Sequence, residues 1–186
     1  MRSVAHVPTP MGDVVLAGEN GLLVGCAING QPLYQRLIDE ADAERPEDPV
    51  LALGVAWLER HLAGERPDPH GLPLAPAGTP FRREIRALLL NVPYGRLTSY
   101  GELADLVVLV RGGGRMSAQA VGQAVGRNPF SIIVPCHRVL AAHGAIGGYA
   151  GGLDKKLWLL AHEGVDVSGM ALPETGRFAH GVDARA

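Results

Sequence analysis

Cysteine is scarce in this chain: Cys26 and Cys136, about 110 residues apart, are the two present among 186 residues. Two distant cysteines do not make a disulfide framework and are typical of a reducing compartment. The chain also has no long apolar stretch at its N-terminus and no run approaching the roughly 18 apolar residues that span a membrane. These absences exclude the disulfide-stapled and membrane-spanning classes, and we expect a cytoplasmic protein with no membrane contact.

An excess of charge of either sign is also missing. The formal net charge is −2, which by itself argues against a nucleic-acid-binding protein. However, residues 1–79 carry 5 basic and 11 acidic side chains, whereas residues 80–165 carry 10 basic and 5 acidic ones. Because Cys136 lies in the basic segment, the asymmetry allows a polyanion-binding surface on that segment alone. Solvated charges on unrelated faces are the alternative.

The first part of the chain has the pattern of a small sheet followed by a helix. Asn20-Gly21 between two apolar runs is a strong turn signal and predicts a hairpin over residues 8–30. Cys26 falls in its second strand, where we expect a core residue. Apolar spacing predicts an amphipathic helix over residues 49–62. Residues 64–80 contain five prolines and are interpreted as an interdomain linker.

The second part of the chain is mainly helical. Helices are predicted over residues 81–90, after a Ser99-x-x-Glu102 capping box, over 117–125 and over 154–163. The second and third are joined by a glycine-rich connection and resemble a helix-turn-helix, although most such helix pairs bind nothing. We therefore predict a mixed α/β (α+β) fold with an N-terminal domain over residues 1–75, a second domain over 78–165 and a loose tail over 166–186.

The strongest chemical signal is Pro135-Cys136-His137-Arg138. A free cysteine has a pKa of about 8.5, and a neighbouring imidazole is the usual means of making its sulfur nucleophilic near neutral pH. The preceding apolar, β-branched run predicts a buried strand that delivers the thiol into a pocket. A glycine-rich loop over residues 144–152 follows and allows close approach to a flat ligand. The Cys-His pair alone also fits a hydrolase of amides or esters, which would need an oxyanion hole.

An ordered series of motifs from about Gly78 to Gly164 resembles the 6-O-alkylguanine-DNA alkyltransferases, also called methylated-DNA–protein-cysteine methyltransferases. The matching motifs are Gly78-Thr79-Pro80-Phe81, Ser99-Tyr100-Gly101-Glu102-Leu103-Ala104, Ala120-Val121-Gly122, Asn128-Pro129, residues 133–139, Gly148-Tyr149-Ala150-Gly151-Gly152 and Lys156-x-Trp158-Leu159-Leu160-x-x-Glu163-Gly164. The resemblance implies a small sheet-plus-helix domain and a mainly helical domain with a winged helix-turn-helix-like motif. It implies no cofactor, and we expect no zinc because Cys26 has no partner cysteine nearby.

The resemblance also implies the reaction. The thiolate of Cys136 attacks the alkyl carbon on the guanine 6-oxygen and keeps the group as a thioether, so each molecule acts once. His137 is the implied base, acting through a water, and Glu163 orients it. Asn128 is the implied hinge between the recognition helix and the active-site turn. We expect Arg138 to brace the fold through a carboxylate.

Further residues are implied to hold the damaged base. The Tyr149 hydroxyl donates to it, the Val139 carbonyl accepts from its exocyclic amine, and Ala150 shapes the pocket wall. A base stacked in a duplex cannot react, so it is flipped out at a cost of a few kcal/mol. Tyr100 is implied to press on the target phosphate and rotate it.

The implied partner is double-stranded DNA carrying alkylated guanine, bound through its minor groove by a monomer. The small residues Ala120 and Gly122 lie on the predicted recognition helix. The family has an arginine that replaces the flipped base, and here that position is Gln119. Our hypothesis is that Arg115, about one helical turn earlier, partly substitutes. An alternative is a lesion recognition protein with weak or no transfer, although such relatives usually lack the reactive cysteine.

Overall fold

A computed structural model describes residues 1–170, which form a mixed α/β fold as predicted. The larger sheet has four strands in the order β3-β2-β1-β4: β1 Arg2–Val7, β2 Val14–Glu19, β3 Leu22–Ile28 and β4 Ala43–Glu44. The predicted hairpin is present as β2 and β3, and its turn places Asn20 and Gly21 at φ values of 52° and 75°. Positive φ at both central residues is what a tight hairpin turn requires. The outer pairing of β1 with β4 is parallel and was not predicted.

Six α-helices lie within residues 1–170: α1 Pro32–Asp39, α2 Pro49–Leu62, α3 Pro80–Leu90, α4 Tyr100–Val110, α5 Ala118–Val125 and α6 Leu153–His162. Four of them begin at a residue whose side-chain oxygen accepts a backbone N–H of the first turn, namely Asp48, Thr79, Ser99 and Ser117. The capping box of Ser99 and Glu102 is confirmed. Such caps satisfy backbone donors that otherwise have no partner in the helix. None of the helices within these residues has the length and apolar character needed to cross a lipid bilayer.

Helix α2 packs closely on the sheet. A Cβ atom at Gly18 of β2 would lie 2.7 Å from Cγ1 of Val50, so only glycine permits this approach. Leu51 and Leu58 on the same helix are fully buried. One continuous apolar core joins these residues to the helices that follow, and Cys26 is fully buried in it as expected.

The proline-rich segment 64–80 is attached to the sheet. Leu23 of β3 donates its N–H to the Pro73 carbonyl at 2.8 Å and accepts from the Ala75 N–H at 2.8 Å. Prolines prevent regular structure here, but these two bonds hold the segment along the edge of β3. The division of the chain into domains at this segment stays a prediction.

The segment before Cys136 is a turn, and the prediction of a strand here was wrong. Val134 donates its N–H to the Phe130 carbonyl at 2.9 Å, and Ile132 has a φ of 70°. This left-handed conformation costs a β-branched residue roughly 1–2 kcal/mol. The apolar run reflects burial instead, because Phe130, Ile132 and Val134 are almost completely shielded from solvent. The turn leads into a 3-10 helix over Cys136–Arg138.

A short second sheet joins the turn to the helix pair. Strand β5, Thr98–Ser99, pairs in parallel with β6, Val139–Leu140, so the start of α4 lies beside the residues that follow Cys136. Helices α4 and α5 pack on each other and are connected by residues 111–117, which include three consecutive glycines with positive φ. The winged form of the motif stays a prediction.

Candidate active site

Cys136 lies at the start of the 3-10 helix with 9% of its surface exposed. The Nδ2 atom of Asn128 donates to its sulfur at 3.3 Å. The same nitrogen lies 3.1 Å from the carbonyl oxygens of Phe130 and Val134, and Oδ1 accepts from the Phe130 N–H at 3.1 Å. Asn128 follows the C-terminus of α5, so one side chain links this helix to the active-site turn and to the sulfur.

The edge of the large sheet supports the same turn from the other side. Cys26 donates its N–H to the Pro129 carbonyl and accepts from the Ser131 N–H, both at 2.8 Å. Gln31 accepts from the Ser131 hydroxyl at 3.0 Å and from the Ile28 N–H at 2.8 Å. The turn is therefore held between the N-terminal sheet and α5.

The thiol of Cys136 is protonated when the site is at rest. Burial raises its pKa, because a thiolate is poorly solvated in this environment. The Asn128 N–H and the positive charge of Lys156 act in the opposite direction, since both stabilise a thiolate. A base is therefore needed to remove the proton when the sulfur reacts.

His137, the next residue in the chain, is the candidate for this base. Its side chain is fully buried, and Nε2 lies 2.8 Å from Oε1 of Glu163. Burial lowers the pKa of His137, so the imidazole is neutral, and the ionised Glu163 opposes this shift. A carboxylate accepts only, so Nε2 carries the hydrogen and Nδ1 carries the lone pair. Nδ1 is buried and has no hydrogen-bond partner among residues 1–170.

Glu163 is held by four hydrogen bonds. Besides His137, the Nε and Nη2 atoms of Arg138 donate to its two oxygens at 2.8 Å each, and the Gly95 N–H donates at 3.1 Å. Burial alone would raise the pKa of Glu163, but the bonds from His137 and Arg138 hold it well below its ordinary value. The expected bracing role of Arg138 is confirmed.

Gly95 can make this contact only because it has no side chain. Its φ is 68°, and a Cβ atom there would lie 2.7 Å from the backbone oxygen of Glu163. Gly95 was not singled out in the sequence, where it reads as part of an ordinary turn. Its role depends on a contact 68 residues away along the chain.

Tyr149 and Tyr100, the two tyrosines predicted for the site, both lie close to backbone of the glycine-rich loop. Tyr149 is buried under it, and a Cβ atom at Gly151 would lie 3.0 Å from its ring. The Tyr149 hydroxyl is buried and has no hydrogen-bond partner within the described part of the chain. Tyr100 is at the start of α4, and Cβ atoms at Gly122 and Gly147 would lie 3.8 Å and 3.5 Å from its ring. It is therefore packed between α5 and the loop.

Lys156 holds backbone of two segments next to the site. It is fully buried and donates Nζ to the Val139 carbonyl at 2.6 Å and to the Ile146 carbonyl. Burial lowers its pKa to about 8. The Val139 carbonyl, which the resemblance assigns to the guanine amine, thus already accepts from Lys156. In the sequence, a lysine among the apolar residues of α6 is the feature that indicates a buried Lys156.

The remaining predicted residues lie at the surface of the helix pair. Gln119 is exposed on the first turn of α5, and Ala120 beside it is partly exposed, as is Gly122. Arg115 is exposed in the loop before the helix N-cap Ser117. Arg115 precedes the Ser117 cap and is not part of α5, so its separation from Gln119 is not a turn of helix, and its substituting role stays a hypothesis. Ala150 is exposed at the tip of the glycine-rich loop.

An arginine-lined groove, formed by Arg36, Arg82 and Arg127, opens next to this site. It has a volume of about 540 Å³, and Asn128 and Ala150 also line it. No acidic side chain is among the described residues that line it. The groove therefore carries a local positive potential within a chain of net negative charge. Within residues 1–170 no group of three or more His, Cys, Asp or Glu side chains is arranged to hold a metal ion.

Fold and site together define a class of protein. A buried cysteine is followed by a histidine that is hydrogen-bonded to a carboxylate, the residue types of a nucleophilic triad, and it lies beside a helix pair and a positively charged groove.

Comparisons with known proteins identify the family. A family model described as "6-O-methylguanine DNA methyltransferase, DNA binding domain" matches residues 80–165. The methylated-DNA–protein-cysteine methyltransferase of Mycobacterium leprae is 39% identical over 155 residues, which are 83% of this chain and 88% of that protein. The protein of the same name from Methanosarcina acetivorans is 38% identical over 157 residues, or 84% and 94% of the two chains. The chain belongs to the methylated-DNA–protein-cysteine methyltransferase family.

Solved structures agree with this assignment. The crystal structure of Mycobacterium tuberculosis O6-methylguanine methyltransferase has a TM-score of 0.74 and 34% identity, covering 88% of this chain and 93% of that one. A crystal structure of Mycobacterium tuberculosis OGT in complex with DNA has a TM-score of 0.72 and 34% identity, covering 87% and 92%.

Proposed function

We propose that this protein repairs DNA by moving the methyl or alkyl group of 6-O-alkylguanine irreversibly to the sulfur of Cys136. The observation that carries this proposal is the buried Cys136 thiol, with an amide N–H on its sulfur and the His137–Glu163 pair beside it, in a member of this family. The alkyl carbon breaks its bond to the guanine oxygen and forms a bond to sulfur. The protein supplies the acceptor itself and no cofactor enters the balance.

His137 and Glu163 prepare the nucleophile in this mechanism. The lone pair on Nδ1 of His137 takes the thiol proton through a water, and Glu163 stabilises the imidazolium that forms. The Asn128 N–H and the nearby positive charge of Lys156 stabilise the thiolate. The proton then passes to the guanine as it leaves, so the purine is restored and His137 returns to its neutral form.

The damaged base occupies the space beneath the glycine-rich loop. The Tyr149 hydroxyl is buried and has no partner among residues 1–170, so it can donate to the guanine. The Val139 carbonyl, held by Lys156, accepts from the exocyclic amine, and Ala150 forms part of the wall next to the alkyl group. A thioether is stable to water, so the modified molecule does not turn over.

Double-stranded DNA is the proposed partner, bound at the minor groove by a monomer. Helix α5 presents Ala120 and Gly122, which are small enough for a narrow groove, and Tyr100 beside them presses on the target phosphate. The arginine-lined groove follows the DNA backbone. The target guanine is flipped out of the stack before it reacts.

The alternative of a recognition protein with weak or no transfer rests on Gln119 alone. Gln119 can hydrogen-bond to the orphaned cytosine but lacks the planar cation of an arginine. This difference affects DNA binding and base flipping. It leaves Cys136 and its base in place, so we retain transfer as the function.

Mass spectrometry of the intact protein tests the proposal. After incubation with a duplex containing 6-O-methylguanine, we expect each molecule to gain one methyl group, located on Cys136 by peptide mapping. Cys136→Ser should gain none, and Cys26→Ser is the matched control that should behave as the wild type. DNA binding without a mass gain would support the recognition protein, and repeated turnover would support a hydrolase.

A further inference from the structure

We infer that His61, on helix α2, is a positioning residue for Glu163 and through it sets the proton affinity of His137. The inference rests on the proposed function, because it assigns a role within the same site. His61 lies outside residues 80–165, the segment that the family model matches. A role for His61 would mean that the N-terminal half of the chain also influences the reaction.

The contact between His61 and Glu163 is buried and direct. The His61 side chain is 1% exposed, and its Nε2 lies 3.8 Å from Oε1 of Glu163. This is too long for a hydrogen bond, and Nε2 has no other partner within the described residues. A lone pair on Nε2 would face the carboxylate at an electrostatic cost. We therefore place the hydrogen on Nε2, where its dipole points at the negative charge.

The ring of His61 has little freedom to turn away. It stacks on Trp57 with centroids 5.2 Å apart and planes 9° from parallel, and it meets the edge of Tyr94 at 5.6 Å. Its backbone oxygen also lies 2.8 Å from Nε2 of His162, the neighbour of Glu163 in the chain. Helix α2 is thus joined to the last residue of α6, directly before the residue that carries the carboxylate. The rings of Trp57, Tyr94 and His162 therefore restrict the rotation of the His61 side chain.

The charges around this contact show what His61 contributes. Glu163 faces His137 and Arg138 from the 3-10 helix and His61 from α2, and Tyr94 and His162 border the same cluster. Three more ionisable groups act on this cluster. Lys156 and Cys136 lie on the side of His137, and the Arg66 guanidinium lies over the ring of Tyr94.

His61 itself stays neutral in the working range. Burial lowers its pKa to about 4, and Glu163 opposes this shift. It therefore contributes an N–H dipole to Glu163 and not a second positive charge. This dipole offsets part of the carboxylate's negative potential at His137. Without it, His137 would bind a proton more tightly and would be available as a base only at higher pH.

The test is the pH dependence of single-turnover methyl transfer in variants of the full chain. His61→Phe keeps the stacking on Trp57 and removes the N–H, so the acid limb of the rate profile should move up by about half a pH unit, or about threefold in proton affinity. His61→Gln keeps an N–H at a similar reach and should leave the limb in place. Leu58→Ala, a fully buried change on the same helix, should lower the melting temperature without moving the limb.

Several results would overturn the inference. One is a pH–rate profile of His61→Phe that coincides with that of the wild type. Another is an acid limb that moves as far in His61→Gln or Leu58→Ala as it does in His61→Phe. If His61→Phe does not fold, His61→Met provides a ring-free side chain without the N–H. If the wild type transfers no methyl group, the proposed function fails. The inference about His61 can then still be tested by an NMR titration of the His137 ring in the wild type and in His61→Phe.

Discussion

The Nε2 atom of His137 lies 2.8 Å from Oε1 of Glu163, and this contact determines which ring nitrogen is left to accept a proton. With the hydrogen held on Nε2, the lone pair of Nδ1 is the free basic position. Arg138 and the Gly95 N–H keep the carboxylate in place, so the imidazole is oriented before DNA binds. The first prediction concerns this contact.

Replacing Glu163 by Gln should slow methyl transfer by about a hundredfold, within the range that a positioned general base contributes. The amide no longer selects the tautomer of His137 and leaves the buried guanidinium of Arg138 without its charge partner, which costs about 3 kcal/mol of stability. Single-turnover kinetics and urea unfolding measure the two effects. Glu102→Gln, at the exposed capping box, is the control and should retain the transfer rate; an active Glu163→Gln protein would contradict the assignment.

The stability of the fold should fall as the pH drops below about 6.5. His61 has a folded pKa lowered to about 4 from an ordinary 6.5, so the unfolded chain binds more protons between these values. Glu163 also has a depressed pKa, so its contribution is present above its ordinary value of about 4.5 and is lost at lower pH. The free energy of unfolding, measured in urea from pH 7.5 to 4, should therefore decrease. The slope between pH 6.5 and 4.5 should be smaller in His61→Phe, and an unchanged slope would show that His61 is not buried in its neutral form.

Asn128→Ala should reduce both reactivity and stability. The substitution removes the donor to the Cys136 sulfur and leaves the Phe130 N–H unpaired in the active-site turn. The pKa of Cys136 should rise further, which the pH dependence of iodoacetamide labelling would show. We expect a loss of about 2 kcal/mol in unfolding free energy. Asn91→Ala, which removes an exposed side-chain bond at the end of α3, is the control.

The arginine-lined groove should contribute to DNA affinity through phosphates. Arg82→Ala and Arg127→Ala should each weaken binding to any duplex and reduce the slope of log affinity against log salt by about one. Fluorescence anisotropy at several salt concentrations measures this slope. Arg45→Ala, on the acidic N-terminal half, should leave it unchanged. Equal slopes for all variants would mean that DNA does not reach the groove.

Gln119 should limit repair of duplex DNA more than repair of single strands. Gln119→Arg restores the planar cation found in the family, so it should raise the transfer rate on a duplex and leave the rate on a single strand unchanged. Arg115→Ala should lower the duplex rate if Arg115 assists base flipping from its exposed loop. No loss with Arg115→Ala would refute that hypothesis, and equal gains on both substrates would show that Gln119 acts elsewhere than in flipping.

Short-range signals accounted for much of this molecule in advance. The Asn20-Gly21 turn, the Ser99 cap and the helix periods are recognisable because their causes lie within a few residues. The order of motifs around Cys136 similarly identified the family and the pairing of the His137 imidazole with the Glu163 carboxylate. Such features depend on local backbone preference or on side-chain types that one chemistry requires.

Other features depend on residues that are distant in the chain. The turn at Ile132 resembles a strand in sequence, because burial selects apolar residues whatever the backbone conformation. Gly95 and His61 both meet Glu163, and Lys156 meets the Val139 carbonyl, through the packing of separate elements. A hydrogen bond or a buried charge contact needs positions correct to within about an ångström. Local preferences do not supply that precision, so these contacts exist only once the sheet and the helices have packed together.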